Sequence, residues 1–187
     1  MYFKRSIDIY LNNWKSDRYR KPLLIRRARQ VGKSTSIRFF GASYPKLIEL
    51  NLEEDERIRS IFENSELITD LVEKLSLYTQ IDFRNGKALL FIDEIQQSPK
   101  AIHFLRYFHE KFSDIHIIAA GSLLEFALKK LGRFGVGRVQ SMYMHTFSFD
   151  EYLNAQNLHH LIEIKQKANF DKPIEPIFHQ SLVDHLK

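Results

Sequence analysis

The sequence predicts an α/β domain in which a mainly parallel sheet lies between two layers of helices, a three-layer α/β/α arrangement. Short apolar runs typical of strands alternate with segments of helical periodicity, and two of the runs, "ALLFI" and "IHIIAAGS", are almost entirely apolar. Continuous apolar runs are typical of strands covered on both faces, and alternation with helices favours parallel strands joined by right-handed crossovers. The composition, 44% hydrophobic and 13% aromatic, suffices for a packed core.

The first half of the chain is predicted to form a helix, a strand, a second helix and a second strand. Apolar residues at spacings of four, three and four predict an opening helix with one buried face: Phe3, Ile7, Tyr10 and Trp14. The run "LLI" at 23–25 predicts a strand, and "KSTSIRFFGASY" predicts a helix that ends near Gly41. "KLIELNLEED" then predicts a second strand that runs into an acidic turn.

The second half continues the alternation. Helical faces are predicted from two sets of spaced apolar residues: Leu67, Leu71, Leu75 and Tyr78, and then Ala101, Phe104, Leu105, Phe108 and Phe112. "ALLFI" follows the turn signal Asn85-Gly86 and is predicted to be a strand, as is "IHIIAAGS". Beyond Gly121, three glycines in "LLEFALKKLGRFGVGR" predict a loop, and "VQSMYMHTF" predicts another strand. Ser148 and Glu151 have the spacing of a capping box at the start of a helix.

The segment "RRARQVGKST", residues 26–35, ends as a phosphate-binding loop does. Gly32, Lys33 and Ser34 satisfy the end of the pattern G-x-x-x-x-G-K-[ST], whereas Arg27 stands where the pattern has its first glycine. The segment lies between a predicted strand and a predicted helix, so backbone N–H groups at the helix start can converge on phosphates. We expect a nucleotide site, weakened but not abolished by Arg27, at these residues: Arg27, Ala28, Arg29, Gln30, Val31, Gly32, Lys33, Ser34 and Thr35.

Two acids complete the set of groups that a nucleoside triphosphatase needs. Asp93 and Glu94 directly follow the apolar run "ALLFI", so they are expected at the carboxyl edge of the sheet, where ligands of α/β proteins bind. Lys33 is predicted to reach the β- and γ-phosphates, and Ser34 and Asp93 to hold Mg²⁺. Glu94 is the candidate that orients or deprotonates the attacking water.

Simpler interpretations exist for each motif alone. Gly32, Lys33 and Ser34 could form an ordinary turn at a helix start, and Asp93 and Glu94 could be a solvated strand end. Their combination in the right order favours nucleotide binding. An ATPase and a non-catalytic, nucleotide-responsive binding module for DNA or a protein partner both remain open.

Four segments in order resemble the AAA+ ATPases of the predicted archaeal and bacterial ATPase type: "LLIRRARQVGKSTSIRFF", "ALLFIDEIQQSPKAIHFLRYFHEKF", "IIAAGSLLEFAL" and "GRFGVGRVQSMYMHTFSFDEYL". The similarity covers roughly residues 1–155 and implies a P-loop NTPase fold with ATP and Mg²⁺ as ligands. It implies that Lys33 and Ser34 are the Walker A residues, that Asp93 and Glu94 are the Walker B pair, and that Ser122 is the polar sensor that helps to position water.

The resemblance also bears on assembly and on domain organisation. It implies a homo-oligomer in which Arg138 acts as an arginine finger on a neighbouring subunit, with Arg133 as a competitor and an exposed loop arginine as the simpler interpretation. An ATPase domain is expected over 1–155, and the helical segment 156–187 is expected to begin a C-terminal region that family members have in full. The chain therefore resembles a shortened form of the family.

Composition limits the other classes of function. The net charge of +5 and the basic stretch from Arg18 to Lys33 are compatible with a nucleic-acid backbone, but the excess is modest and the interpretation as solvated or paired arginines is favoured. The absence of cysteine excludes disulfides and thiol chemistry and fits a reducing cytosol. With no signal peptide or membrane-spanning apolar run, we expect a cytoplasmic protein that does not associate with a membrane. The histidines show no spacing typical of a zinc site.

Overall fold

The computed structural model describes residues 2–26, 31–122, 124–130 and 137–186. Arg27, Ala28, Arg29, Gln30 and Arg133 of the predicted site lie outside these segments. The strands are β1 (Leu23–Arg26), β2 (Lys46–Asn51), β3 (Ala88–Asp93), β4 (His116–Gly121) and β5 (Gln140–Tyr143). The helices are α1 (Ser6–Ser16), α2 (Lys33–Gly41), α3 (Glu56–Glu63), α4 (Ile68–Thr79), α5 (Pro99–Lys111), α6 (Leu124–Lys130), α7 (Phe149–Ala155), α8 (His159–Lys167) and α9 (Pro176–Asp184).

The strands form one five-stranded sheet in the order β2-β3-β4-β1-β5. Every pairing is parallel, and the register aligns Asn51 with Asp93 and Arg26 with Gly121. Because parallel strands place their carboxyl ends at one edge, the residues that follow β3 and β4 converge there, at the same edge as the end of β1. The predicted α/β fold with a parallel sheet is confirmed.

Helices cover both faces of the sheet. On one face, α1 and α2 pack against Leu23, Ile25 and Phe91. On the other, α3, α4, α5 and α6 pack against a separate core that includes Leu90 and Ile92. β3 and β4 are buried at every position, as their continuous apolar runs predict. No helix in the described segments is long and apolar enough to cross a membrane.

Three details differ from the sequence prediction. α1 begins at Ser6, so Phe3 lies outside the helix and is about half exposed. Leu67 is the N-cap of α4 and lies in solvent, because the buried face of that helix starts one residue later, at Ile68. Part of the predicted glycine-rich loop forms α6, since Leu124 and Leu128, spaced by one helical turn, enter the core.

The described residues divide into two compact units, residues 7–145 and residues 2–6 with 146–186. The smaller unit contains α7, α8 and α9 around a small core of Leu153, Leu161, Ile162 and Leu182. The predicted capping box is present at the start of α7, where the Ser148 hydroxyl accepts from the Glu151 N–H and the Glu151 carboxylate accepts from the Ser148 N–H. The same carboxylate pairs with Arg5 at 3.0 Å.

Candidate nucleotide site

The described part of the predicted phosphate loop leads directly into α2. Gly32 is the N-cap of this helix and has φ 85° and ψ 22°, a left-handed conformation that glycine adopts without steric cost. The first intrahelical bond of this turn runs from the Ser36 N–H to the Gly32 carbonyl at 3.0 Å. The N–H groups of the residues between them belong to the first turn, which has no acceptors within its own helix. Such an N-terminus attracts anions.

Ser34 and Asp93, which are 59 positions apart in the sequence, meet at the carboxyl edge of the sheet. The Ser34 hydroxyl donates to Asp93 Oδ2 at 2.6 Å. Asp93 Oδ1 accepts from the backbone N–H of Glu94 at 3.0 Å, so both carboxylate oxygens are oriented. Asp93 is 5% exposed. The two residues predicted to hold a metal ion are thus in direct contact.

Glu94 and Ser122 are also brought together. The Ser122 hydroxyl and backbone N–H lie 3.3 and 3.4 Å from Glu94 Oε2. Ser122 follows β4 directly and is 3% exposed. The sheet therefore places the predicted sensor hydroxyl against the carboxylate that it is predicted to assist.

These side chains line one cavity of about 400 Å³. Its walls are formed by Gly32, Lys33, Ser34 and Thr35, together with Glu94, Ser122 and Glu53. Lys33 is 7% exposed, although lysine is rarely buried unless its charge is compensated. An inward cation, a hydroxyl and carboxylates in one concave site form the donor set of a phosphate and metal site.

Arg138 lies away from this cavity. It precedes β5, whose residue Gln140 bonds to the Pro22 carbonyl at the start of β1, so Arg138 is at the amino edge of the sheet. There its guanidinium pairs with Glu110 near the end of α5, at 3.2 Å. The carboxyl edge is the opposite one. The fold thus does not bring Arg138 to the cavity of its own chain.

Sequence reasoning missed two residues of this site, Glu53 and Gln96. Glu53 belongs to the acidic turn after β2 and enters the cavity wall because β2 is the neighbour of β3 in the sheet. Gln96 donates from Nε2 to Glu94 Oε2 at 2.5 Å. The only local signal for Gln96 was its place two positions after Glu94 in "FIDEIQ".

A larger cavity of about 730 Å³ lies beside β2, and its lining shares no residue with the motifs. Arg38 and Glu49 line it and form a bidentate ion pair, and the Tyr78 hydroxyl donates to Asp55 at 2.7 Å. Because these charges already compensate one another, we assign the nucleotide to the smaller cavity.

The donor set fits a magnesium nucleotide. Mg²⁺ is typically bound by one or two protein oxygens, and phosphate and water oxygens complete its coordination sphere. A hydroxyl and a carboxylate together provide two suitable protein oxygens. Ser34 and Asp93 supply it. The described segments contain no cluster of three or more His, Asp or Glu side chains that would hold a metal without a nucleotide.

The parallel strand order, with α2 as the next helix after β1, is that of a P-loop NTPase fold. A family model described as "AAA domain" matches residues 19–153, which is most of the chain. The chain belongs to this AAA domain family. No curated relative matches it.

Proposed function

We propose that this protein binds ATP with Mg²⁺ at the carboxyl edge of the sheet and hydrolyses it to ADP and phosphate. Membership of the AAA domain family supports nucleotide binding and ATP as the ligand. The observation that carries the proposal is the 2.6 Å contact between Ser34 and Asp93, because it joins the start of the phosphate loop helix to the end of a buried strand. The order of the four segments quoted above supports the narrower archaeal and bacterial ATPase type.

In this proposal the start of α2 binds the phosphates. The N–H groups after Gly32 donate to phosphate oxygens, and the Lys33 ammonium compensates the charge of the β- and γ-phosphates. Ser34 and Asp93 would hold the Mg²⁺ of the nucleotide, which when bound supplies Lewis-acid stabilisation of charge on the phosphoryl group. Val31 and Thr35 are the remaining described residues that we assign to this loop.

Glu94 is proposed to orient the attacking water and accept its proton. It lines the same cavity as Lys33, so its carboxylate is on the side where a terminal phosphate would lie. Ser122 is proposed to hold that carboxylate and to respond to the phosphate, since its single O–H can donate to only one acceptor at a time. Hydrolysis in this arrangement is phosphoryl transfer to water supported by positioning and electrostatics.

We propose that Arg138 acts as an arginine finger at the nucleotide cavity of a second copy of the chain. The cavity of its own chain is at the opposite edge of the sheet. Mixing an Arg138→Ala variant with a Lys33→Ala variant tests this. Each would lack a different part of a shared site, so the mixture should hydrolyse ATP faster than either variant alone. A mixture that equals the mean of its components would exclude this role.

Single-turnover hydrolysis tests the proposal as a whole. Excess protein is incubated with labelled ATP, with and without Mg²⁺, and phosphate release is compared with that of Glu94→Gln. We expect release by the parent chain to depend on Mg²⁺ and to exceed that of the variant. ATP binding with no release above this control would instead identify a nucleotide-responsive binding module.

A further inference from the structure

Glu94 has a backbone conformation that side chains rarely adopt. Its φ is 50° and its ψ is 43°, in the left-handed region, which is costly for a residue with a Cβ. The turn that follows is firmly anchored, because Gln97 N–H bonds to the Glu94 carbonyl at 3.0 Å and Ile95 is fully buried. Strained residues of this kind persist where the surroundings hold them, and they are frequent at functional sites.

The Glu94 carboxylate is held by one oxygen only. Oε2 accepts from Gln96 Nε2 at 2.5 Å and also from the hydroxyl and N–H of Ser122. Among the described residues, none of these bonds involves Oε1 of the carboxylate. One oxygen is therefore anchored, and the other keeps its acceptor capacity beside the cavity.

The amide of Gln96 is fixed in one orientation. Only its NH₂ group can donate to a carboxylate, so its Oε1 must point away from Glu94. That oxygen is buried and has no hydrogen-bond partner among the described residues. A buried amide oxygen without a partner is costly, so this orientation of Gln96 is maintained for its contact with Glu94 rather than for its own hydrogen bonding.

Gly121 provides the space that Gln96 occupies. A Cβ at position 121 would lie 2.0 Å from Gln96 Oε1, which is an impossible approach. Gly121 does not have a positive φ, so its backbone could accept another residue. The requirement for glycine at the end of β4 is therefore one of volume, and Gln96 is the side chain that creates it.

We infer that Gln96 is a positioning residue that holds the Glu94 carboxylate for water activation, and that Gly121 lacks a side chain to let it do so. The inference deepens the proposed ATP hydrolysis and rests on it. Gln96 acts through Glu94 and does not line the cavity itself. It is expected to affect the chemical step while leaving nucleotide affinity unchanged, because phosphate and metal contacts come from other residues.

Gln96→Met tests the inference, since methionine has a similar length and no N–H donor. We expect kcat for ATP hydrolysis to fall about tenfold or more, because small losses of position at a catalytic group are costly. The Kd for Mg·ATP, measured by calorimetry, should stay within about twofold. Gln166→Met is the control, because Gln166 is an exposed glutamine of α8 and does not line the cavity. It should keep the parental kcat.

Gly121→Ala provides an independent test through the same contact. In the parental background its methyl group displaces Gln96, so kcat should fall as it does in Gln96→Met. In a Gln96→Ala background the clash with the glutamine is gone and the nearest remaining atom, Leu124 Cγ, lies 3.2 Å away, so Gly121→Ala should change kcat by less than about twofold further. If the two residues had only independent structural roles, the fold reductions in kcat caused by the two substitutions would multiply in the double variant.

The outcomes separate this inference from the proposed function. Parental hydrolysis no faster than that of Glu94→Gln would overturn the ATPase proposal and the inference with it. An active parent with an unchanged or raised kcat in Gln96→Met would overturn the inference alone. The inference would also be overturned if the reductions in kcat caused by the Gly121 and Gln96 substitutions multiplied. Weaker Mg·ATP binding by folded Gln96→Met would overturn it as well.

Discussion

The Ser34 hydroxyl donates to Asp93 Oδ2 at 2.6 Å and connects the start of α2 with the end of β3. A hydroxyl and a carboxylate this close can bind the same hard cation once the hydroxyl rotates its hydrogen away. The contact places the two residues that we propose as metal ligands side by side. If these assignments are right, substitutions around the contact should separate into binding, metal and catalytic phenotypes.

Lys33→Ala should weaken ATP binding. Lys33 is buried in the cavity wall and its ammonium is proposed to contact phosphate, a charge-assisted interaction worth about 2 kcal/mol, or roughly 30-fold in Kd. Calorimetric titration of ATP measures the change. Lys46→Ala is the control, because Lys46 is exposed at the amino end of β2. Equal ATP affinity in the folded Lys33 variant and in the control would exclude the assignment.

Asp93→Asn should make nucleotide binding insensitive to Mg²⁺. The amide keeps the size of the buried side chain but is a poorer ligand for a hard cation. We expect ATP affinity in the variant to be the same with Mg²⁺ and with EDTA, whereas the parent should bind more tightly with Mg²⁺. A variant that retains the parental response to Mg²⁺ would show that another residue holds the metal.

Glu94→Gln should retain ATP binding and lose turnover. The substitution removes the group proposed to accept a proton from water, a contribution of typically about 10²-fold or more in rate. Single-turnover phosphate release and calorimetry on the same preparation give both quantities. Hydrolysis at the parental rate would place the catalytic base elsewhere.

Stability should fall as the pH is lowered from about 6.5 towards 4 because of His116. The pKa of His116 is lowered from 6.5 to about 4, mainly by burial and additionally by the charges of Arg20 and Lys15, while Asp114 opposes them. Its Nδ1 also shares a 2.7 Å hydrogen bond with the Tyr44 hydroxyl. Between these pH values the unfolded chain binds a proton that the folded chain does not. The loss is at most about 3 kcal/mol.

Urea unfolding between pH 7 and pH 4.5 checks this prediction for His116. His116→Gln has no group that titrates in this range, so its stability should change less with pH than that of the parent. Well above pH 6.5 the histidine is neutral in both states and contributes no slope. Identical pH dependence in both chains would assign the acid sensitivity to other groups.

Glu151→Gln should destabilise the smaller unit by about 3 kcal/mol, because it removes the carboxylate that pairs with the largely buried Arg5 guanidinium at 3.0 Å. Burial raises the pKa of Glu151, but N–H donors from Ser148 and Ser6 and the Arg5 guanidinium outweigh this effect, so the pKa lies below its usual value. The stabilisation is therefore complete above the ordinary pKa of a glutamate and is lost as the pH falls through the lower, folded-state value.

Hydrogen exchange of the α7 amides measures this effect in the smaller unit alone. Protection should drop in Glu151→Gln and return in part when Arg5→Met also removes the guanidinium that the carboxylate pairs with. Unchanged protection in the single variant would show that the pair does not stabilise α7.

Much of the fold could be predicted because local patterns report burial. The continuous apolar runs within β3 and β4 indicated strands covered on both sides, and the structure buries both strands throughout. Arg27 was the exception to the loop pattern, and it lies outside the described residues. Phe3 and Leu67 were wrongly placed on buried helix faces because periodicity does not mark the exact residue at which a helix begins.

The sequence by itself determined the five strands and most of the helices, but not α3 or α6. It also indicated that Lys33, Ser34, Asp93, Glu94 and Ser122 follow strands or start a helix. Only the tertiary structure decided that β2 lies beside β3, which brings Glu53 to the cavity, and that Gln96 fits against Gly121 and reaches Glu94. The reason is physical. Periodicity encodes which face of an element is buried, whereas strand order and side-chain contacts depend on interactions between residues far apart in the chain.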